Sequence, residues 1–158
     1  MPLQQLLPNS VFLDGDWCWN IHPFQVTEET KALVLDNICY LLNRFLRCSL
    51  VESVIFCWVM DLQSTLDEIL SRLDTSDCTV KSISLVCHPE VLLKQLQKDV
   101  DEGLREPDIL ERAPARLSRY GALDTVKLDV SASTPQEVAM QIAAQQTGCA
   151  MMGGRDLP

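Results

Sequence analysis

The feature that most constrains the fold is an uninterrupted apolar run from Val54 to Met60, which ends at Asp61. A half-exposed strand alternates apolar and polar residues, whereas this run presents apolar side chains in both directions. A strand of that kind is usually covered on both faces, as in a parallel sheet between two layers of helices. The run therefore predicts an interior strand of a three-layer α/β domain.

The rest of the chain alternates predicted strands and helices. Helices are predicted to begin at Thr27, at Pro89 and at Thr134, because these residues suit the N-cap or the first helical turn. Such alternation is typical of a mainly parallel sheet. We predict a single α/β domain over 1–148 and a flexible tail over 149–158. The other predicted strands are 11–13, 79–87 and 126–130.

Charge and cysteine content narrow the partners and the compartment. With 13 basic and 22 acidic residues the net charge is −9, which argues against a broad electropositive surface for nucleic acid. No stretch approaches the roughly 20 apolar residues of a membrane span. Seven dispersed cysteines without a C-x-x-C pair are typical of reduced thiols. We expect a cytoplasmic protein with a small-molecule partner, bound neither to nucleic acid nor to a membrane.

Three short motifs carry more specific information. The first predicted strand ends in an acidic turn, four of the eight arginines are close together, and a closing strand leads into a capped helix. The motifs are V-F-L-D-G-D at 11–16, the arginines between 105 and 119, and L-D-V-S-A-S-T-P-Q-E-V at 128–138.

In their order these motifs resemble the small-metabolite P-loop kinases, such as shikimate, gluconate and adenylyl-sulfate kinases. In that family the second strand ends in acidic residues, an arginine-rich lid follows a later helix, and the closing loop borders the adenine. The resemblance covers about residues 3–147 and implies a P-loop NTPase-like fold. It also implies ATP-dependent phosphoryl transfer to a small substrate that carries a hydroxyl or a phosphate.

The resemblance assigns catalytic roles to Asp14 and Asp16. One carboxylate is expected to hold Mg²⁺ or water, and the other to orient or deprotonate a substrate hydroxyl. Trp17 is expected to contact the substrate, with Trp19 and His22 as further walls of a pocket. The alternative is a simple Asp-Gly turn, which is favoured for backbone reasons.

The arginine-rich segment, about 102–120, is expected to act as a lid that binds phosphate, because guanidinium groups bind phosphate in bidentate fashion. Pro107 and Pro114 are expected to divide it into short pieces. We expect the arginines to lie on the same side of the sheet as Asp14 and Asp16. The alternative is a solvated helix whose arginines pair with neighbouring acids. The candidate arginines are Arg105, Arg112 and Arg116.

Two further parts of the chain suit nucleotide contacts. Asp61 ends the apolar run and resembles a Walker-B carboxylate, with Mg²⁺ expected near it or near Asp14; the alternative is a helix N-cap. Ser131, Ser133 and Thr134 are candidates for the adenine or ribose, although capping already explains Thr134.

The chain departs from the family at its beginning. P-loop kinases open with a strand and G-x-x-x-x-G-K-[ST], whereas here a short helical stretch, Leu3 to Leu7, comes first. The G-x-x-x-x-G at 148–153 lacks the lysine and is a decoy. ATP and Mg²⁺ are expected of a complete family member but should not bind tightly to this chain, which we expect to be inactive. The alternative is a non-catalytic module that binds a metabolite or a protein.

A missing central strand has a structural consequence. In the family that strand lies between the counterparts of 54–60 and 79–87. Those two strands are left either to pair directly, to accept a strand from another chain, or to destabilise the domain. We expect direct pairing, with self-association through exposed sheet edges.

Overall fold

The computed structural model describes residues 1–147 and the side chains of residues 1–145. The chain is mixed α/β, as the sequence predicts, and in the described part no helix is long and apolar enough to cross a membrane. The predicted tail and the glycine pattern at 148–153 lie outside the described residues. In chain order the elements are α1 Pro2–Leu6, β1 Ser10–Asp14, a 3₁₀ helix Gly15–Trp19, α2 Glu28–Leu46, β2 Ser53–Cys57, α3 Gln63–Ser71, β3 Ile83–Val86, α4 Pro89–Asp101, α5 Ile109–Ala122, β4 Val126–Asp129 and α6 Pro135–Thr147.

The residues form two compact units, each with one pair of parallel strands. The first unit contains 1–60, 64–80 and the chain from Pro135, and the second contains 61–63 and 81–134. In the first unit β1 pairs with β2, and in the second β3 pairs with β4. Parallel pairing is therefore confirmed at the level of these small sheets. The single-domain assignment stays a prediction.

The two faces of β2 pack against different clusters, which confirms the two-sided coverage that its sequence predicts. Val54 and Phe56 pack against a core in which Ile38 of α2 is fully buried. Ile55 belongs to a second buried cluster, formed with residues of α1 and α6. The strand is shorter than predicted, because regular structure ends at Cys57.

Helix α2 begins where its N-terminal signal predicts. The Thr27 hydroxyl accepts a hydrogen bond from Thr30 N at 3.1 Å, and Thr27 N donates to Thr30 Oγ1 at 2.8 Å. This capping box satisfies backbone groups that the first turn leaves unpaired. Helix α4 likewise has Pro89 at its first position.

The expected direct pairing of the strand around 54–60 with the strand around 79–87 is wrong. Among residues 1–147, β2 is hydrogen-bonded to β1 and β3 to β4, and no ladder joins β2 to β3. Each strand instead pairs across its own helical connection, α2 in the first unit and the α4–α5 segment in the second. Parallel strands need such crossovers, and the crossover helices bury the apolar residues of the sheet.

Pro114 does not divide the arginine-rich segment as expected. Helix α5 runs through it from Ile109 to Ala122. Proline removes one backbone hydrogen bond, but the helix packs on α4 and β3, and tertiary packing overrides local propensity. The half-buried side chains on this helix include Ile109, Leu110, Ala113, Leu117 and Tyr120.

Candidate functional site

The acidic turn lies where β1 and β2 end side by side. Asp14 is the last residue of β1 and is in register with Cys57, the last residue of β2. The Asp14 Oδ1 atom accepts a hydrogen bond from Asp16 N at 3.0 Å, so that it caps the 3₁₀ helix. The alternative interpretation of Asp14 and Gly15 as a turn is therefore correct in part. The carboxyl ends of parallel strands are also where open α/β sheets bind ligands.

The indole of Trp58 holds the second carboxylate. Trp58 follows β2 directly, and its Nε1–H donates a hydrogen bond to Asp16 Oδ1 at 3.0 Å. A hydrogen bond to an ionised acceptor is stronger than a neutral one. The position of the Asp16 side chain is therefore set from the neighbouring strand.

Gly15 is required by this packing. A Cβ on Gly15 would lie 2.4 Å from Trp58 Cγ and 2.6 Å from Cδ1, which is far inside van der Waals contact. Among the described glycines only Gly103 has a positive φ, so space and not backbone conformation selects glycine at position 15. The Asp-Gly pair is therefore explained by the Trp58 ring.

Aromatic rings lie on both sides of the turn. Trp17 contacts Phe12 edge-to-face, with ring centroids 5.6 Å apart and an interplanar angle of 84°. Trp19 lies 6.5 Å from Trp58 and 6.1 Å from Phe24. Phe12 packs with the α1–α6 cluster, whereas Trp19 and Trp58 pack with the α2 cluster on the other face. The predicted aromatic surroundings of Asp14 and Asp16 are present, although His22 is exposed.

The site is locally negative. Among residues 1–147, neither Asp14 nor Asp16 forms an ion pair, and one oxygen of each carboxylate has no hydrogen-bond partner. Local burial of the Cys57 thiol raises its pKa, and the charges of Asp14 and Asp16 add to the effect. A raised pKa favours the neutral thiol, so Cys57 is a poor nucleophile and a poor metal ligand at neutral pH.

The carboxylates fit part of a magnesium site. Mg²⁺ commonly takes one or two protein carboxylates and completes its octahedron with water and phosphate oxygens. Asp14 and Asp16 each offer one oxygen of that kind. In the described part of the chain, however, no three His, Cys, Asp or Glu side chains converge on a common point. Mg²⁺ at this edge would therefore depend on ligands from water or substrate.

Asp61 lies four positions beyond the end of β2 and two positions before α3, which begins at Gln63. Its carboxylate is 16% exposed, accepts a hydrogen bond from Arg119 Nη1 at 2.9 Å and lies 3.7 Å from Arg116 Nε. Two guanidinium groups thus offset the negative charge of Asp61. Arg119 was not among the predicted phosphate ligands.

The other two candidate arginines also have acidic partners. Arg105 Nε lies 3.0 Å from Asp99 Oδ2, and Arg112 forms a bidentate pair with Asp108 at 2.9 and 3.3 Å. The Arg112 pair matches the alternative of a solvated helix, whereas Arg105 lies in the connection between α4 and α5. Exposed ion pairs contribute only about 0–1 kcal/mol, so a phosphate would displace them at small cost. The arginines and Asp14 belong to different units. The expectation that they lie on the same side of the sheet therefore stays a prediction.

A hydrogen-bonded link joins the ends of β3 and β4. His88 N donates to Ser131 Oγ at 2.8 Å, and Ser131 N donates to Asp129 Oδ1 at 2.8 Å. Hydrogen bonds from the Ser131 hydroxyl and N–H, with a smaller effect of His88, lower the pKa of Asp129. Ser131 therefore has a structural role here, which sequence reasoning missed.

Comparison with known proteins leaves the relationship open. No protein-family model matches the chain. No curated protein matches it significantly.

Proposed function

We propose that the chain is a kinase-like phosphotransferase scaffold that binds a small hydroxyl-bearing substrate at Asp14 and Asp16. The observation that carries the proposal is the pair of carboxylates at the common carboxyl edge of β1 and β2, each with one oxygen that has no hydrogen-bond partner in the described part of the chain. A carboxylate placed there is able to orient or deprotonate a hydroxyl. Trp58 holds Asp16 in place, and Trp17 offers an adjacent contact surface.

The phosphate side of the proposal rests on the arginine-rich segment. We propose that Arg105, Arg112 and Arg116 exchange their acidic partners for phosphate oxygens, within a three-layer P-loop NTPase-like fold. The chain has no G-x-x-x-x-G-K-[ST], the loop whose backbone N–H groups and lysine bind ATP phosphates. We therefore expect weak binding of ATP and Mg²⁺ and no turnover by this chain. The six cysteines of the described part are free thiols, in keeping with a cytoplasmic location.

The second candidate is a non-catalytic metabolite-binding module on the same scaffold. The neutralised Asp61 favours it, because a Walker-B carboxylate must be available to the metal or its water. Sequencing the DNA upstream of the Met1 codon separates the two. An in-frame G-x-x-x-x-G-K-[ST] after an apolar strand favours the kinase, and an interrupted reading frame favours the module.

Ligand binding tests both candidates at the same site. All three tryptophans of the chain lie in or beside the turn, so their fluorescence is a direct reporter. We expect at least one of shikimate, gluconate and adenosine to change the tryptophan fluorescence up to a plateau as its concentration is raised. Asp14→Asn should weaken that binding at least tenfold, about 1.4 kcal/mol, because it removes the charge that orients the hydroxyl.

The matched control is Asp77→Asn, which makes the same change at an exposed acid in the loop after α3. It should leave the dissociation constant unchanged. Equal affinities of Asp14→Asn and the parent chain, or no saturable response to any compound, would contradict the proposed site.

A further inference from the structure

An exposed indole stands beside the two carboxylates. Trp17 is 62% exposed although it is one of the largest apolar side chains, and the edge-to-face contact with Phe12 supports it from one side. Phe24, at the end of the ring series on the other side of the turn, is 69% exposed. Exposed aromatic rings held by neighbouring rings are suited to stacking against a planar group.

The same ring series contains an unsatisfied donor. The Trp19 Nε1–H group is buried and has no acceptor among the described residues. Buried donors are almost always paired, and each exception calls for an explanation. Departures of this kind concentrate at functional sites, where sequence is selected for more than stability. One donor of the turn is therefore left without an acceptor in the described part of the chain.

The charge of the turn limits what binds beside these rings. Asp14 and Asp16 have no cationic partner among residues 1–147, and their charges already raise the pKa of the Cys57 thiol. A phosphate bound next to Asp14 and Asp16 would be repelled by both carboxylates. A neutral hydroxyl would be accepted as a hydrogen-bond donor, and a cation would gain from the carboxylates and from the face of Trp17.

We infer that the site selects a neutral or cationic hydroxyl compound with a planar ring, and discriminates against substrates that carry a phosphate. The inference rests on the proposed function, because it names the substrate class for the same carboxylates. Trp17 is then a specificity-determining residue. It stacks on the ring while Asp14 and Asp16 accept hydrogen bonds from the hydroxyl or an amine.

Calorimetric titration of the full chain tests the selectivity. The probes are adenosine and tyramine, which are planar and neutral or cationic, against adenosine monophosphate, shikimate and gluconate, which are anionic. We expect adenosine or tyramine to bind at least tenfold more tightly than each of the three anionic probes. Equal or tighter binding of an anionic probe that is lost in Asp14→Asn would overturn the inference and leave the proposed function standing.

Variants at Trp17 test the stacking. Trp17→Leu should weaken the binding of adenosine or tyramine at least fivefold. Trp17→Phe, which keeps a ring, should retain most of the affinity. The control Tyr40→Leu removes another exposed ring, 67% exposed on α2, and should change nothing. An unaltered dissociation constant in Trp17→Leu would overturn the inference. Failure of every probe to bind would overturn it together with the proposed function.

Discussion

Replacing Gly15 with alanine should destabilise the first unit by about 1–3 kcal/mol, the usual cost of overpacking a filled site. The added Cβ would meet Trp58 at Cγ, Cδ1 and Cβ, so that either the indole changes its rotamer or the backbone shifts. Displacing the indole would also break its hydrogen bond to Asp16. Urea unfolding followed by tryptophan fluorescence measures the loss.

The control for this change is another glycine of the same chain. A Cβ on Gly121, near the end of α5, would have no atom within 4 Å. Gly121→Ala should be neutral or stabilise by up to about 1 kcal/mol through helix propensity. Combining Gly15→Ala with Trp58→Ala should recover part of the loss, because two of the three close contacts disappear. Equal stability of Gly15→Ala and the parent chain would show that the indole does not pack on Gly15.

Truncating Ile38 should have the largest effect on stability. Its side chain is fully buried in the core between α2 and the β1–β2 sheet. Ile→Ala at such sites costs about 2–5 kcal/mol, from lost transfer energy and from the cavity left behind. A typical domain is stable by only about 5–15 kcal/mol. The urea concentration at the midpoint of unfolding should therefore be much lower in Ile38→Ala than in the parent chain. The helical circular dichroism signal, followed against urea concentration, measures this change.

The matched variant is Leu33→Ala on the same helix, where the side chain is 49% exposed. It removes the same number of carbon atoms but should cost less than about 1 kcal/mol, because no cavity forms. A difference of less than about 1 kcal/mol between the two variants would show that α2 does not bury its Ile38 face against the sheet.

Local signals in the sequence predicted several elements correctly. The non-alternating run that overlaps β2 indicated coverage on two faces, and both faces are covered. Thr27 and Pro89 open helices where their chemistry favours an N-terminus. Each of these signals lies within the element that it describes. That is why they could be recognised without knowledge of the tertiary structure.

The errors concern contacts between distant parts of the chain. Trp58 donates to Asp16 from 42 positions away, and Asp61 meets Arg119 from 58 positions away. Both contacts depend on which strands pair and where the next helix lies, which periodicity does not encode. The role of Gly15 was attributed to turn geometry for the same reason. It depends on a ring from another strand.

The direct test of the account is whether a ligand binds at the end of β1 and β2. A ¹H–¹⁵N correlation spectrum of the chain should show three indole N–H signals, one for each tryptophan. With saturating adenosine, tyramine, shikimate or gluconate, added one at a time, we expect at least one compound to move the Trp58 indole signal and the Asp16 amide signal, because a hydroxyl at the carboxylates alters the hydrogen bond that joins them. An unchanged Trp58 indole and Asp16 amide, with shifts confined to α4 and α5 or with none at all, would contradict the assignment of this edge as the site.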